Sequence, residues 1–395
     1  MKQKNDFLDI LLKVLSYVLA ASIGAALMVV LFVHTDKLES DSGVSKLEQL
    51  QMLIEERFIG ESDATDMQDA AADAMIMSLG DVWSYYIPAD QFQSHVEQMQ
   101  NAYVGVGITV KSREDGTAID IIQVIAGGPA EEAGLMPGDV ITAVNGDEVD
   151  PTDINELSLR VKGEEGTTVD LTILRNGVET VYTVERRQIK VTVAEGEMLE
   201  DGIGLVSIYN FDDRCAQEAI DAIEELLAAG AQKLIFDVRN NPGGYKHEMV
   251  ELLDYLLPEG VLFRSEFYTG ETTEDRSDAK YLDVPMVVLV NSESYSAAEF
   301  FAAALREYDA AQVVGEQTYG KGYFQQTYTL QDGSAVNLSV GKYYTPKGVT
   351  LADVGVTPDV EVAVDDETFL AIYNNMLAPE EDPQVQEAVK LLRGY

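Results

Sequence analysis

Gly128-Pro129-Ala130-Glu131-Glu132-Ala133-Gly134-Leu135-Met136-Pro137-Gly138-Asp139-Val140-Ile141-Thr142-Ala143-Val144-Asn145-Gly146 fixes the reading of the middle of the chain. Gly127-Gly128-Pro129 turns the chain ahead of a short helix, Ala130 to Ala133. Pro137-Gly138-Asp139 turns the chain, Val140 to Val144 is an apolar strand, and Asn145-Gly146 turns it again. On the N-terminal side, Val104, Val106, Ile108 and Val110 alternate with Gly105, Gly107 and Thr109, which predicts a strand with one buried face. Ile119 to Val124 and Thr168 to Leu174 are further strands, and Ile154 to Val161 is a short helix. Between Tyr103 and Glu185 this pattern describes one compact unit of short strands.

That unit resembles a PDZ domain, with boundaries near 101 and 188, and the quoted segment carries most of the likeness. The resemblance implies that Tyr103, Val104, Gly105, Val106 and Gly107 form the loop that receives a peptide's terminal carboxylate. Glycines there let backbone N–H groups converge on an anion, and the next strand takes the peptide by strand addition. Relief of crowding within a strand is the other reading of the same glycines. The family often has Arg where Lys162 stands, before Gly163, so Lys162 is the expected relay between peptide occupancy and whatever the rest of the chain does.

From Val191 to Val364 strands alternate with helices. Gly204 to Tyr209, Lys233 to Val238 and Met286 to Val290 read as buried strands, and Ala216 to Ala229, His247 to Leu256 and Ala297 to Arg306 as helices. Four blocks stand out within this stretch. They are Asp237-Val238-Arg239-Asn240-Asn241-Pro242-Gly243-Gly244; Val290-Asn291 through Ser294-Tyr295-Ser296-Ala297-Ala298-Glu299; Val314 through Gly320-Lys321-Gly322; and Tyr344-Thr345-Pro346 with Gly355-Val356-Thr357-Pro358-Asp359.

In order and spacing these blocks resemble the carboxyl-terminal processing, or tail-specific, serine proteases. The resemblance implies a crotonase-like or ClpP-like α/β core over 189–366, with the PDZ domain inserted before it and a helical tail over 367–395. By the same resemblance Ser296 is the nucleophile, Lys321 the general base and Gln325 its neighbour. The oxyanion hole comes from the backbone of Ala297 and Gly243, with Gly243 favoured over Gly244.

The residues themselves admit plainer readings. Ser296-Ala297-Ala298-Glu299 is a capping box, and a helix N-terminus also favours a developing oxyanion. A lysine at its ordinary pKa of about 10.4 is charged and cannot take a proton. It needs an apolar pocket, for which Phe300, Tyr319, Tyr323 and Phe324 are the neighbours in sequence. On a strand, even spacing would put Gln325 on the same side as Lys321. Gly315-x4-Gly320-Lys321 approaches a phosphate-binding loop, but Gly322 stands where Ser or Thr must hold magnesium. A Ser-His-Asp arrangement would have to use His247 and Asp237. A catalytically silent membrane PDZ adaptor is the non-enzymatic alternative. Tyr295 and Ala298 depart from the family's small residue and Ser, and Tyr295 is expected to narrow the mouth of the site.

The 395 residues carry 69 acidic and 27 basic side chains, a net charge of −42, which disfavours nucleic acid as a partner. With one cysteine, Cys215, the chain forms no intrachain disulfide and offers no cysteine metal cluster, and no cofactor or metal is expected. Val14 to Val33 is an uncharged run long enough to span a bilayer. Its length and the bulky Leu31, Phe32, Val33 and His34 favour an uncleaved signal anchor over 1–36 rather than a removed signal, and Lys2, Lys4 and Lys13 before it put the remainder outside the cell membrane. A helical region, 37–100, follows with no visible chemistry. The expected partners are proteins or peptides with accessible C-termini and, through the anchor, the membrane. Whether the helical ends build a homodimer is left open.

Overall fold

The computed structural model describes residues 45–113 and 115–394. The anchor expected over Val14 to Val33 lies outside them. Among the described residues no helix is long and apolar enough to cross a membrane. The chain divides after Gly80 into two compact units. In the first, the helices Lys46–Arg57 and Ala64–Met77 start at caps written in the sequence. Ser45 and Glu48 form a capping box, and Asp63 accepts from the N–H groups of Thr65 and Asp66. The strand Tyr85–Ile87 and the helix Ala89–Met99 belong to the second unit, so the region expected as one helical block over 37–100 is two.

Within the second unit, the PDZ-like sheet runs Ile108–Ser112, Ile119–Val124, Val140–Val144, Thr168–Arg175, Val178–Glu185, all antiparallel. Its core gathers Ile119, Ile121, Ile141, Leu171, Ile173 and Val184, each almost fully buried. The turn residue Asp139 is buried too, and Arg175 pairs with its carboxylate at 2.6 Å. The strand expected to run unbroken through Val104 and Val110 is two strands. Gly107, at φ +79°, bends the chain between them. Ala102–Gly105 pairs with Arg187–Lys190 in a separate ribbon, whereas Ile108–Ser112 enters the PDZ sheet as its edge.

The core sheet has the order Ala194–Met198, Ile203–Ile208, Lys233–Asp237, Met286–Val290, Ala311–Gly315, Val360–Glu361. All neighbours are parallel except the first pair. Alternate residues serve two cores. Val206, Phe236, Val288 and Val313 face the helices Cys215–Ala228, Lys246–Leu256 and Ala297–Glu307. Leu205, Ile235, Val287 and Val314 face the C-terminal helix Pro383–Arg393 through Val385, Val389 and Leu392. That helix is a structural layer of the core. Every residue of Met286–Val290 is buried, as expected for a parallel strand covered on both faces.

A second sheet escaped the reading of simple α/β alternation. It pairs Tyr85–Ile87 with Ala335–Tyr344, then Gly260–Phe267 and Thr272–Ser277, while Tyr323–Thr329 lies on Ala335–Tyr344 as a hairpin. Asp332-Gly333, with Gly333 at φ +92°, was the sequence signal for that hairpin.

Candidate active site

Ser296 stands between the C-terminal end of Met286–Val290 and the helix Ala297–Glu307. The mouth of a parallel sheet, outside its strand ends, is where α/β folds place ligands. The loop before Ser296 is laced to the loop leaving the neighbouring strand. Tyr295 N–H donates to Asn241 O at 3.1 Å, Asn240 N–H to Asn291 Oδ1 at 2.9 Å, and Ser294 Oγ to Val238 O at 2.7 Å. These contacts hold Ser296 at φ +58° and ψ −122°, a conformation costing a non-glycine residue about 1–3 kcal/mol.

The Asn-Pro-Gly-Gly turn presses directly on this residue. A Cβ at Gly243 would meet Ser296 Cβ at 2.7 Å and Ala297 N at 2.9 Å, so only glycine fits. The two glycines of the turn differ in a way that spacing does not reveal. Gly243 N–H already donates to Asn241 Oδ1 at 2.8 Å. Among the described residues, the N–H groups of Gly244 and Ala297 have no protein acceptor. Gly243 N–H, the donor implied by the resemblance, is thus occupied, whereas Gly244 N–H is not.

Glu299 does far more than close a capping box. It is fully buried and accepts four hydrogen bonds: from Ser296 N–H at 3.0 Å, Lys321 N–H at 2.9 Å, Gly320 N–H at 2.7 Å and Thr318 Oγ1 at 2.6 Å. One carboxylate therefore ties the backbone of Ser296 to the backbone of Lys321. Burial raises its pKa, and the four donors oppose that.

The Lys321 amine lies 4.2 Å from the centroid of the Trp83 ring. Trp83, Tyr295 and Tyr319 pack together with centroids 5.4–5.7 Å apart. Burial in this aromatic seat pushes the amine down to about 8, against the pull of the Asp81 and Glu299 carboxylates. Burial also works to raise the Asp81 carboxyl, but hydrogen bonds from Ser84, Ser339 and Trp83 N–H outweigh it and hold it low. Of the wall expected from sequence, Tyr319 is in place, whereas Phe300 and Phe324 pack instead with Phe263 and Tyr343. Trp83 comes from the region in which no chemistry was visible. Its only sequence signal was an aromatic cluster after Gly80-Asp81.

Ser296, Lys321, Gln325, Gly243 and Gly244 line one cleft of about 710 Å³ with Trp83 and Tyr295 on its wall. Among the described residues no hydrogen bond joins the Lys321 amine to Ser296. Gln325 does not meet the amine either. Its amide donates to Ser339 Oγ at 3.0 Å and Tyr323 O at 3.3 Å. Lys321 precedes the strand Tyr323–Thr329 and a bulge falls between Phe324 and Gln325, so the even-spacing argument does not apply. His247 is exposed beside Glu248, and Asp237 is held by Arg239 at 2.5 Å. Neither lines the cleft.

In the PDZ-like unit, Val106 and Gly107 form the bend beside the edge strand Ile108–Ser112, next to the helix Ile154–Val161. Tyr103, Val104 and Gly105 lie instead in the ribbon joining this unit to the core. Lys162 Nζ sits 5.2 Å from the Tyr103 ring centroid and 4.0 Å from Glu97. Glu97 belongs to the helix Ala89–Met99, whose His95, Gln98 and Met99 line the cleft.

Residues 202–362 match Peptidase family S41 and residues 121–175 match the PDZ domain family. The carboxy-terminal processing protease CtpA of Bacillus subtilis is 34% identical over 82% of this chain and 70% of that protein. A probable CtpA-like serine protease of Staphylococcus aureus is 31% identical over 81% of this chain and 65% of its own length. A putative S41 protease from Bacteroides fragilis has the same fold, with a TM-score of 0.51 and 18% identity over 82% of this chain and 90% of that one.

Proposed function

Because this chain belongs to the S41 carboxy-terminal processing serine peptidases and carries a PDZ domain, we propose that it cleaves extracytoplasmic proteins whose C-terminal tails dock on the PDZ unit, using Ser296 and Lys321. The tail adds to the edge strand Ile108–Ser112, with its carboxylate at the Val106-Gly107 bend. The Ser296 hydroxyl gives its proton to the Lys321 amine as Oγ bonds to the scissile carbonyl carbon. The ammonium then protonates the leaving nitrogen as the C–N bond breaks, and water, deprotonated by the same amine, releases the acyl group. Gly244 and Ala297 N–H groups stabilise the oxyanion. The anchor over Val14 to Val33 holds the chain at the cell membrane.

The observation that carries this reading is a desolvated lysine amine sharing a cleft with a serine held on a strained backbone at a helix N-terminus. The amine rests on Trp83, apart from Ser296, which favours a tail-triggered alignment of the pair. Lys162, Glu97 and the helix Ala89–Met99 connect the PDZ unit to the cleft, and Lys162 is the proposed relay.

The test is cleavage of an internally quenched peptide bearing a PDZ-docking C-terminus. Ser296→Ala is expected to abolish turnover while retaining peptide binding. In the native chain kcat/KM is expected to rise about tenfold per pH unit up to roughly 8 and then level, because the amine must be neutral. Normal turnover by Ser296→Ala sinks the assignment.

A further inference from the structure

Asp212 is the cleft's unused titratable group. It lines the same cleft as Ser296 and Lys321, yet it is only 8% exposed. Its Oδ1 is sealed from solvent and has no hydrogen-bond partner. An orphaned buried carboxylate oxygen costs free energy and demands a reason. Its position is fixed by the oxyanion turn. A Cβ at Gly244 would meet Asp212 N at 2.6 Å, just as one at Gly243 would meet Ser296, so Asp212 and Ser296 flank the same two glycines.

Its surroundings are acidic and aromatic. Burial first, then the Asp213 and Glu248 carboxylates, push the Asp212 carboxyl up to about 7. The Tyr85 and Tyr245 phenols feel its charge, and His95 packs against Tyr85. Cations close by in the chain are committed elsewhere. Arg214 bonds Glu218, Asn101 O and Val191 O, and Lys246 pairs with Asp275 at 2.7 Å. Among the described residues no cation is hydrogen-bonded to Asp212 Oδ1.

We infer that Asp212 is a specificity determinant that receives a lysine or arginine side chain of the substrate beside the scissile bond. This deepens the peptidase reading and rests on it. A cationic side chain reaching past Gly244 pairs with the cleft side of the carboxylate and neutralises a charge that burial and two other carboxylates disfavour. The chain's net charge of −42 draws cationic segments toward the cleft from a distance. The preference strengthens as pH rises through 7, because Asp212 must be ionised to hold the cation. The Lys321 amine loses its own competing charge over the next unit.

The experiment uses the full-length chain and quenched peptides with one PDZ-docking tail, differing at a single position flanking the scissile bond. Lys, Arg, Met and Glu are each placed there in turn on either side. The expected result at pH 8 is a kcat/KM at least tenfold higher for Lys or Arg than for Met, shrinking below pH 7. Asp212→Asn and Asp212→Ser are expected to bring that ratio within twofold of one. The ratio is internally normalised, so partial unfolding leaves it unchanged. A second arm measures binding of the same peptides to Ser296→Ala by fluorescence anisotropy, with and without Asp212→Asn. It decides the subsite even if no peptide is turned over, an outcome that counts against the catalytic reading alone. Equal affinity for the Lys and Met peptides, or a preference that survives Asp212→Asn, overturns the inference.

Discussion

Glu299 couples the two candidate catalytic residues more tightly than any contact between their side chains. Its Oε2 accepts from the N–H groups of both Ser296 and Lys321. Glu299→Gln preserves shape but aims an NH2 group at donors that need an acceptor. The expected cost is about 2–4 kcal/mol of stability, read as a lower denaturant midpoint at unchanged slope. A loss of kcat/KM of about a hundredfold is expected in the fraction that stays folded, since backbone placement is lost on both sides of the cleft. In the sequence this residue was legible only as the last letter of a capping box. The hydrogen bonds to Thr318, Gly320 and Lys321 depend on a loop returning from twenty residues away, and no local pattern encodes that. The difference between Gly243 and Gly244 was hidden for a similar reason, because the Asn241 side chain that occupies Gly243 N–H is a three-dimensional fact.

The strand Tyr85–Ile87 is the element that most changes the picture drawn from sequence. It pairs in register with Ala335–Asn337 and brings Asp81, Trp83 and Ser84 to the side of Lys321. Two effects of Trp83 on Lys321 oppose each other. The ring face favours the ammonium, by about 0.5–2 kcal/mol, while the ring's bulk excludes water and disfavours it. Burial is the largest influence on this amine, so exclusion wins. Trp83→Ala is therefore expected to move the acid limb of the pH–rate profile from about 8 toward the ordinary lysine value, with Trp83→Phe in between, measured as kcat/KM against pH. The stability sign follows from the same shift. Between about 8 and 10.5 the unfolded chain holds a proton on this lysine that the folded chain lacks, so the Lys321 contribution to stability rises with pH across that window.

The elements that sequence predicted well were those with strong local signals. The PDZ-like strands and the buried strand Met286–Val290 are examples, each bounded by turns or followed by a capped helix. The antiparallel sheet was missed because its two hairpins meet each other and Tyr85–Ile87 only across long stretches of chain. The apparent single strand through Val104 and Val110 was misread because alternation cannot say where a chain leaves one sheet for another.

At the scale of the whole molecule, Arg239 ties the loop of the Asn-Pro-Gly-Gly turn to the far layer of the core. Its guanidinium, 95% buried at the side chain, bonds Asp237 at 2.5 Å, Asp382 at 2.7 Å and Gln384 at 2.9 Å. Asp382 opens the helix Pro383–Arg393, capping the N–H groups of Gln384 and Val385, and that helix seals the second face of the sheet. Asp382→Ala removes a helix cap and half of a buried charge network together. The expected loss is about 3–5 kcal/mol of unfolding free energy, with catalytic loss accompanying it because only Asn240 separates Arg239 from the Asn-Pro-Gly-Gly turn. Chemical denaturation and peptide cleavage on the same preparation check both.

The ribbon that joins the PDZ unit to the core has a mechanical consequence. The strand going out, Ala102–Gly105, and the strand coming back, Arg187–Lys190, are hydrogen-bonded to each other along their whole length. The inserted unit thus leaves the core and rejoins it through one double-stranded stem, like a door leaf on its hinge post. Because Gly105 and Arg187 face each other across that stem, the leaf can be lost, doubled or exchanged for another over generations at the span of a tight hairpin, with no re-threading of the peptidase beneath it.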